Sequence, residues 1–121
     1  SAKVEHKAEP AKVFKKTKAI NIPVLEEKEV KGYFLIQFAY AILGGGKETA
    51  GLEDMAEIYI LDEAVTQIYG IGNTFGAKLS KEQLGELAPK ILAAVQNKMG
   101  NQSVKELLVN DFTYIPRADV R

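Results

Sequence analysis

Eleven consecutive residues, Tyr33 to Leu43 (YFLIQFAYAIL), contain a single polar side chain, Gln37. No other stretch limits the fold as strongly. Eleven residues are too few for a membrane helix, which needs about twenty. Read with a period of two, Phe34, Ile36, Phe38, Tyr40 and Ile42 share one face, and Tyr33, Leu35, Gln37, Ala39 and Ala41 share the other. Both faces are apolar, which predicts a central strand covered on each side.

A second strand is expected just before it. Ile20, Ile22 and Val24 alternate with Ala19, Asn21 and Pro23. Pro23 cannot donate to a ladder, so this strand lies at an edge or ends there. EEKEVKG then reads as a polar turn closed by Gly32. Residues 1–16, rich in Lys, Glu and Ala, read as a flexible linker ahead of one globular domain over 17–121. Lys12, Lys15 and Lys16 form a basic cluster there, either a solvated tail or a segment beside anionic headgroups.

Beyond the apolar run, GGGKETAG (44–51) reads as a flexible loop. Met55, Ile58, Leu61, Val65 and Ile68 recur at helical spacing, whereas EIYI is rich in strand formers and Asp62 suits an N-cap. Helix is favoured for 62–69, with 56–61 open between helix and strand. Ser80 and Gln83 fit a capping box. Leu84, Leu87, Ile91, Val95 and Met99 form an apolar stripe behind it, and Gly100 is a C-cap. VKELLVNDFTYI (Val104–Ile115) alternates imperfectly and reads as a closing strand ended by Pro116. The expected fold is α+β, a small antiparallel or mixed sheet of three to four strands against two helices, in the order strand, strand, helix, helix, strand.

The candidate chemistry is sparse. Sixteen basic residues balance sixteen acidic ones, so no basic excess points to nucleic acid. The chain has no cysteine, which removes disulfides and thiolate chemistry. The single histidine, His6, falls in the expected linker. Glu26–Glu27, Glu53–Asp54 and Asp62–Glu63 are sequence neighbours whose side chains diverge, so they read as solvated faces and caps. Asp111 reads as an edge carboxylate facing water. No catalytic, cofactor-binding or metal-binding residue is assigned, and an enzyme is not expected.

The glycine-rich YGIGNTFGAKLS (Tyr69–Ser80) lacks the preceding strand of a dinucleotide loop and the Gly-Lys-Ser/Thr ending of a phosphate loop. Gly70 and Gly72 read as a helix stop and reversal leading into the capping box. Tyr69, Gly70, Gly72, Asn73, Phe75 and Gly76 are the candidate interaction loop, acting through shape.

The closing strand resembles that of FliL-type domains of the flagellar basal-body-associated family, in which a Val-x-x-Val-x-Phe-x-x-Phe-x-x motif follows a helix. Val104, Leu107, Val109, Phe112 and Ile115 stand at those positions. The helix LAPKILAAVQNKMG and the strand pair TKAINIPVLEEKEVKGYFLIQFAYAIL, with Asn21 in its first strand, are similar to the family's corresponding segments. GGGKETAG, YGIGNTFG and the tail PRADVR depart from its pattern. The resemblance implies a fold like the stomatin and prohibitin domains, which assemble laterally into rings. It also implies a periplasmic scaffold without catalytic residues, tethered to the inner membrane by a helix ahead of Lys3. The Ser-Ala start reads as the remnant of a cleaved tag. The expected partners are further copies of the chain and an inner-membrane protein complex, in a flagellar role or in a single-span bacterial relative without one. The alternative is a soluble small-ligand-binding module with a closed apolar pocket near Tyr69–Gly76.

Overall fold

The computed structural model describes residues 12–44, 47–75, 78–100 and 103–119. Its centre is the apolar run. β3 (Glu29–Leu43) has neighbours along both of its edges. β4 (Val104–Pro116) lies antiparallel along one edge, from Gly32↔Pro116 to Ile42↔Val104. The other edge is shared end to end by β1 (Lys12–Lys16), paired with Ala39–Leu43, and β2 (Ile20–Glu26), paired with Glu29–Ile36. The α+β fold expected from the sequence is therefore present as an antiparallel sheet with two helices, and β1 is an addition to the expected order. Residues 12–16, read as the end of a linker, are a lysine-rich edge strand. Lysines on an edge discourage further pairing and hide the strand from hydropathy.

The break between β1 and β2 is a one-residue slip. Lys16 faces Ala39 and Ile20 faces Ile36, so three residues oppose two. Thr17 repairs the ladder there. Its N–H donates to the Phe38 carbonyl at 2.8 Å, and its Oγ1 accepts the Phe38 N–H at 3.1 Å. It is the buried polar residue of the described core, at 2% exposure.

β2 and β3 join through two residues, Glu27 and Lys28, with φ of 53° and 68°. That pair of positive φ values marks a type I′ turn, whose right-handed twist suits a hairpin. The turn is thus shorter than EEKEVKG, and Gly32 lies within β3. It is buried there because the Tyr114 side chain occupies the space that a Cβ would need.

β4 explains its own imperfect alternation. Its pairing with β3 slips at Asn110 and again at Lys105. Each slip inserts one residue, so the inward positions fall at Val104, Leu107, Val109, Phe112 and Tyr114. The spacing of three, two, three, two is that of a twice-bulged strand.

Both helices cover the same face of the sheet. α1 (Lys47–Phe75) packs on β2 and on α2 (Lys81–Met99), which in turn packs on β4. Phe34, Ile36, Phe38, Tyr40 and Ile42 meet Ile60, Ile68, Leu84, Ile91 and Val95 in one core. The expectation that β3 is covered on both sides is not met among the described residues, where neither α1 nor α2 lies over the face carrying Tyr33, Leu35, Gln37 and Ala39.

α2 forms as its sequence predicts. Ser80 Oγ accepts the Gln83 N–H at 3.1 Å, and the Ser80 N–H donates to Gln83 Oε1 at 2.9 Å. Gly100, at φ 70°, donates its N–H to the carbonyls of Gln96 and Asn97. α1 departs from expectation. It is one helix of 29 residues, so 56–61 are helical, Asp62 is not a cap, and 47–51 belong to the helix rather than to a loop. Among the described residues, no helix is long and apolar enough to cross a membrane.

Candidate functional site

Of the six residues expected as an interaction loop, the five that are described are helical. Tyr69, Gly70, Gly72, Asn73 and Phe75 belong to the last turns of α1, while Gly76 lies outside the described residues. Helical backbone at Gly70 and Gly72 rules out the helix stop assigned to them. A Cβ on Gly70 would meet open space, so neither close approach nor turn geometry asks for glycine there. The side chains of 72–77 lie outside the described residues, and with them most of the lining expected for an apolar pocket at Tyr69–Gly76.

Of the acidic neighbours, Asp62, Glu63 and Glu53 make ion pairs between elements. Lys98, near the end of α2, reaches Asp62 Oδ2 and Glu63 Oε2, each at 3.0 Å, and lies 6.0 Å from the centre of the Tyr59 ring. Hydrogen bonds from Gln67 and Lys98 hold the Glu63 carboxyl below its ordinary range. Glu53 pairs with Lys15 at 3.3 Å. Glu57 accepts the Lys18 N–H at 2.8 Å and ties α1 to the β1–β2 break. The Tyr40 hydroxyl donates to the Glu53 carbonyl at 3.3 Å. Burial pushes its pKa up to about 12, with Glu57, Glu53 and Asp54 adding to the shift. Asp111 is exposed on β4, opposite Gln37. Among the described residues, no three acidic or histidine side chains converge as a metal site.

What the structure does place together is apolar surface. α1 turns Ala56, Ile60, Ala64 and Ile68 into the core. At 100° per residue, Met55, Ile58, Val65 and Tyr69 stand on the opposite side of the helix, and all four are exposed, Ile58 at 65%. The large residues that recur at helical spacing (Met55, Ile58, Leu61, Val65, Ile68) therefore mix the two sides, and of them only Ile68 is fully buried. Small alanines line the inner side, where the helix approaches the sheet, and hydropathy weights them least.

The second surface is the bare face of the sheet. Directly opposed residues on paired strands point the same way. Phe14 faces Ala41, Leu108 faces Ala39 and Ile115 faces Tyr33, so all six residues lie on the outer face with Leu35. Phe14 is 62% and Leu108 56% exposed. Lys12 Nζ meets Glu106 Oε2 at 2.7 Å, an ion pair that spans from β1 to β4 over β3. The seven exposed large hydrophobics of the described residues divide completely between these two surfaces: Met55, Ile58, Val65 and Tyr69 on α1, and Phe14, Leu35 and Leu108 on the sheet.

A shallow groove of about 420 Å³ runs along α1 beside the β1–β2 break, lined by Lys18, Asp54, Glu57, Ile58 and Leu61. Sequence reading missed both surfaces. The signal for the first lies in the spacing of Met55, Ile58 and Val65, which the sequence reads only as helical, and in Tyr69, which it places in the candidate interaction loop. No family model matches this chain, and no curated protein matches it.

Proposed function

We propose that this chain is a non-catalytic scaffold or regulatory domain of the FliL-like kind. In this reading it is held at the periplasmic side of an inner membrane and acts by self-association and by contact with a membrane protein complex. The observation that carries the reading is the concentration of every exposed large hydrophobic of the described residues on two opposite surfaces. Scattered apolar side chains need no explanation, whereas apolar patches mark interaction sites. The twice-bulged β4 adds support, because four of the five positions of the motif by which the chain resembles that family, Val104, Leu107, Val109 and Phe112, face inward, while the fifth, Ile115, faces outward. A linker leading to an anchor would enter the domain at β1, at the lysine-rich edge.

Sedimentation of the free domain beside a membrane-tethered form tests this. Tethering raises local concentration without adding contacts, so assembly in the tethered form alone, or far more strongly there, is the expected result. A tethered chain that stays monomeric at every surface density contradicts the proposal. A coding sequence without about twenty apolar residues ahead of Lys3 contradicts the anchor.

A further inference from the structure

β1 is held far less firmly than the strands around it. Of its five residues only Val13 is even partly buried, where it packs against the core. Phe14 is exposed on the outer face. Lys15 is exposed beside Tyr40 and pairs with Glu53 at 3.3 Å, and Lys12 pairs with Glu106 at 2.7 Å. Ion pairs at the surface contribute little and weaken as salt screens them. Each ordered residue of β1 costs backbone entropy all the same. β2, by contrast, buries both Ile22 and Val24.

The chain is pinned immediately after β1. The Thr17 N–H donates to the Phe38 carbonyl at 2.8 Å, and Thr17 Oγ1 accepts the Phe38 N–H at 3.1 Å. The Thr17 carbonyl accepts from Gln37 Nε2 at 3.0 Å, and the Lys18 N–H donates to Glu57 at 2.8 Å. A weakly held strand thus ends at a firmly held post. The slip between Lys16 and Ile20 already separates its ladder from that of β2.

We propose that β1 is a releasable strap: residues 12–16 leave the edge of β3 as a unit, turning about Thr17, while the rest of the sheet and both helices stay folded. Docked, these five residues belong to the domain. Released, they continue the segment that precedes it and lengthen that segment by up to about 17 Å. This dual membership accounts for a stretch whose composition reads as linker and whose place is in the sheet. Local opening is expected of elements with few buried apolar contacts and exposed backbone hydrogen bonds. Salt is the physical lever, because it screens the pairs of Lys12 and Lys15. The strap does not depend on the scaffold reading above.

Ala41 reports on release. It lies opposite Phe14 in the ladder and is fully buried, and the chain contains no cysteine. Ala41→Cys should therefore react with a thiol reagent while β1 is away. Ala64→Cys, equally buried on the inner side of α1, should react only through unfolding of the whole domain. The expected rate for Ala41→Cys is at least tenfold that of Ala64→Cys, and it rises severalfold between about 0.05 and 0.5 M sodium chloride. Val13 shares with Thr17 the alternation that turns the N–H toward β3, so Val13→Pro removes a ladder bond and blocks docking. That change should bring Ala41→Cys to the rate of an exposed thiol while the domain keeps its circular dichroism and cooperative melting. Equal rates for Ala41→Cys and Ala64→Cys overturn the strap, because β1 then opens only with the whole domain. An Ala41→Cys rate that Val13→Pro does not raise overturns it too, because β1 then shields nothing. Loss of fold in Val13→Pro overturns it by making β1 indispensable to the sheet.

Discussion

Gln37 Oε1 accepts a 2.7 Å hydrogen bond from Asn110 Nδ2, the residue inserted at the first slip of β4. On the opposite edge, Gln37 Nε2 donates to the Thr17 carbonyl at 3.0 Å, at the slip between β1 and β2. The single polar residue of the apolar run thus clamps irregularities on both sides of the central strand. An amide has both the donor and the acceptor needed for that.

Thr17 holds the other half of this arrangement. Thr17→Val keeps the shape and removes the acceptor of the buried Phe38 N–H. An orphaned buried donor costs about 1–3 kcal/mol. Urea denaturation should show a lower midpoint with an unchanged slope. A midpoint equal to that of the parent would show that the hydroxyl contributes nothing.

The turn residues Glu27 and Lys28 both adopt positive φ, which asparagine and glycine tolerate far better. The pair Glu27→Asn and Lys28→Gly should stabilise the domain by about 1 kcal/mol. The same urea titration checks it, and destabilisation would argue against a type I′ turn.

Gly32 is required for close approach rather than for turning. A Cβ there would meet the Tyr114 side chain and lie 2.6 Å from the Ile115 carbonyl oxygen. Gly32→Ala should destabilise by about 1–3 kcal/mol through overpacking. Adding Tyr114→Ala should recover part of that loss in a double-mutant cycle, since the two positions share the space. Strict additivity would place the clash elsewhere.

Tyr40 sets an alkaline limit. Its phenol is raised to about 12 when folded from about 10 when unfolded. Folding therefore favours the neutral form, and this contribution is complete below pH ~10 and lost as pH rises toward the folded value. Ultraviolet phenolate absorbance should show a late-titrating tyrosine that Tyr40→Phe removes, and the variant should lose stability less steeply above pH ~10.

These details differ in how far the chain alone announces them. β3 and α2 are legible because each carries one unbroken period, and in α2 Ser80, Gln83 and Gly100 mark the ends. The inward face of β3, from Phe34 to Ile42, is one of the two apolar faces that the alternation separates. α1 is obscured by Gly51, Gly70 and Gly72, each costing about 1 kcal/mol in a helix interior, and by the β-branched EIYI. Packing of Ala56, Ile60, Ala64 and Ile68 into the core overrides those preferences. β1 has no period of its own and is a strand only because β3 has an edge to offer. The surface on α1 is not legible because helical spacing alone does not say which apolar residues face inward, and large ones are the usual choice. In α1 the alanines do so instead.

The most direct test is sedimentation of the membrane-tethered chain beside the same chain bearing Ile58→Lys and Val65→Lys. The predicted result is higher-order assembly of the parent and a monomer for the variant, with equal thermal stability. A parent that remains monomeric, or a variant that assembles as the parent does, would contradict association through the outer face of α1.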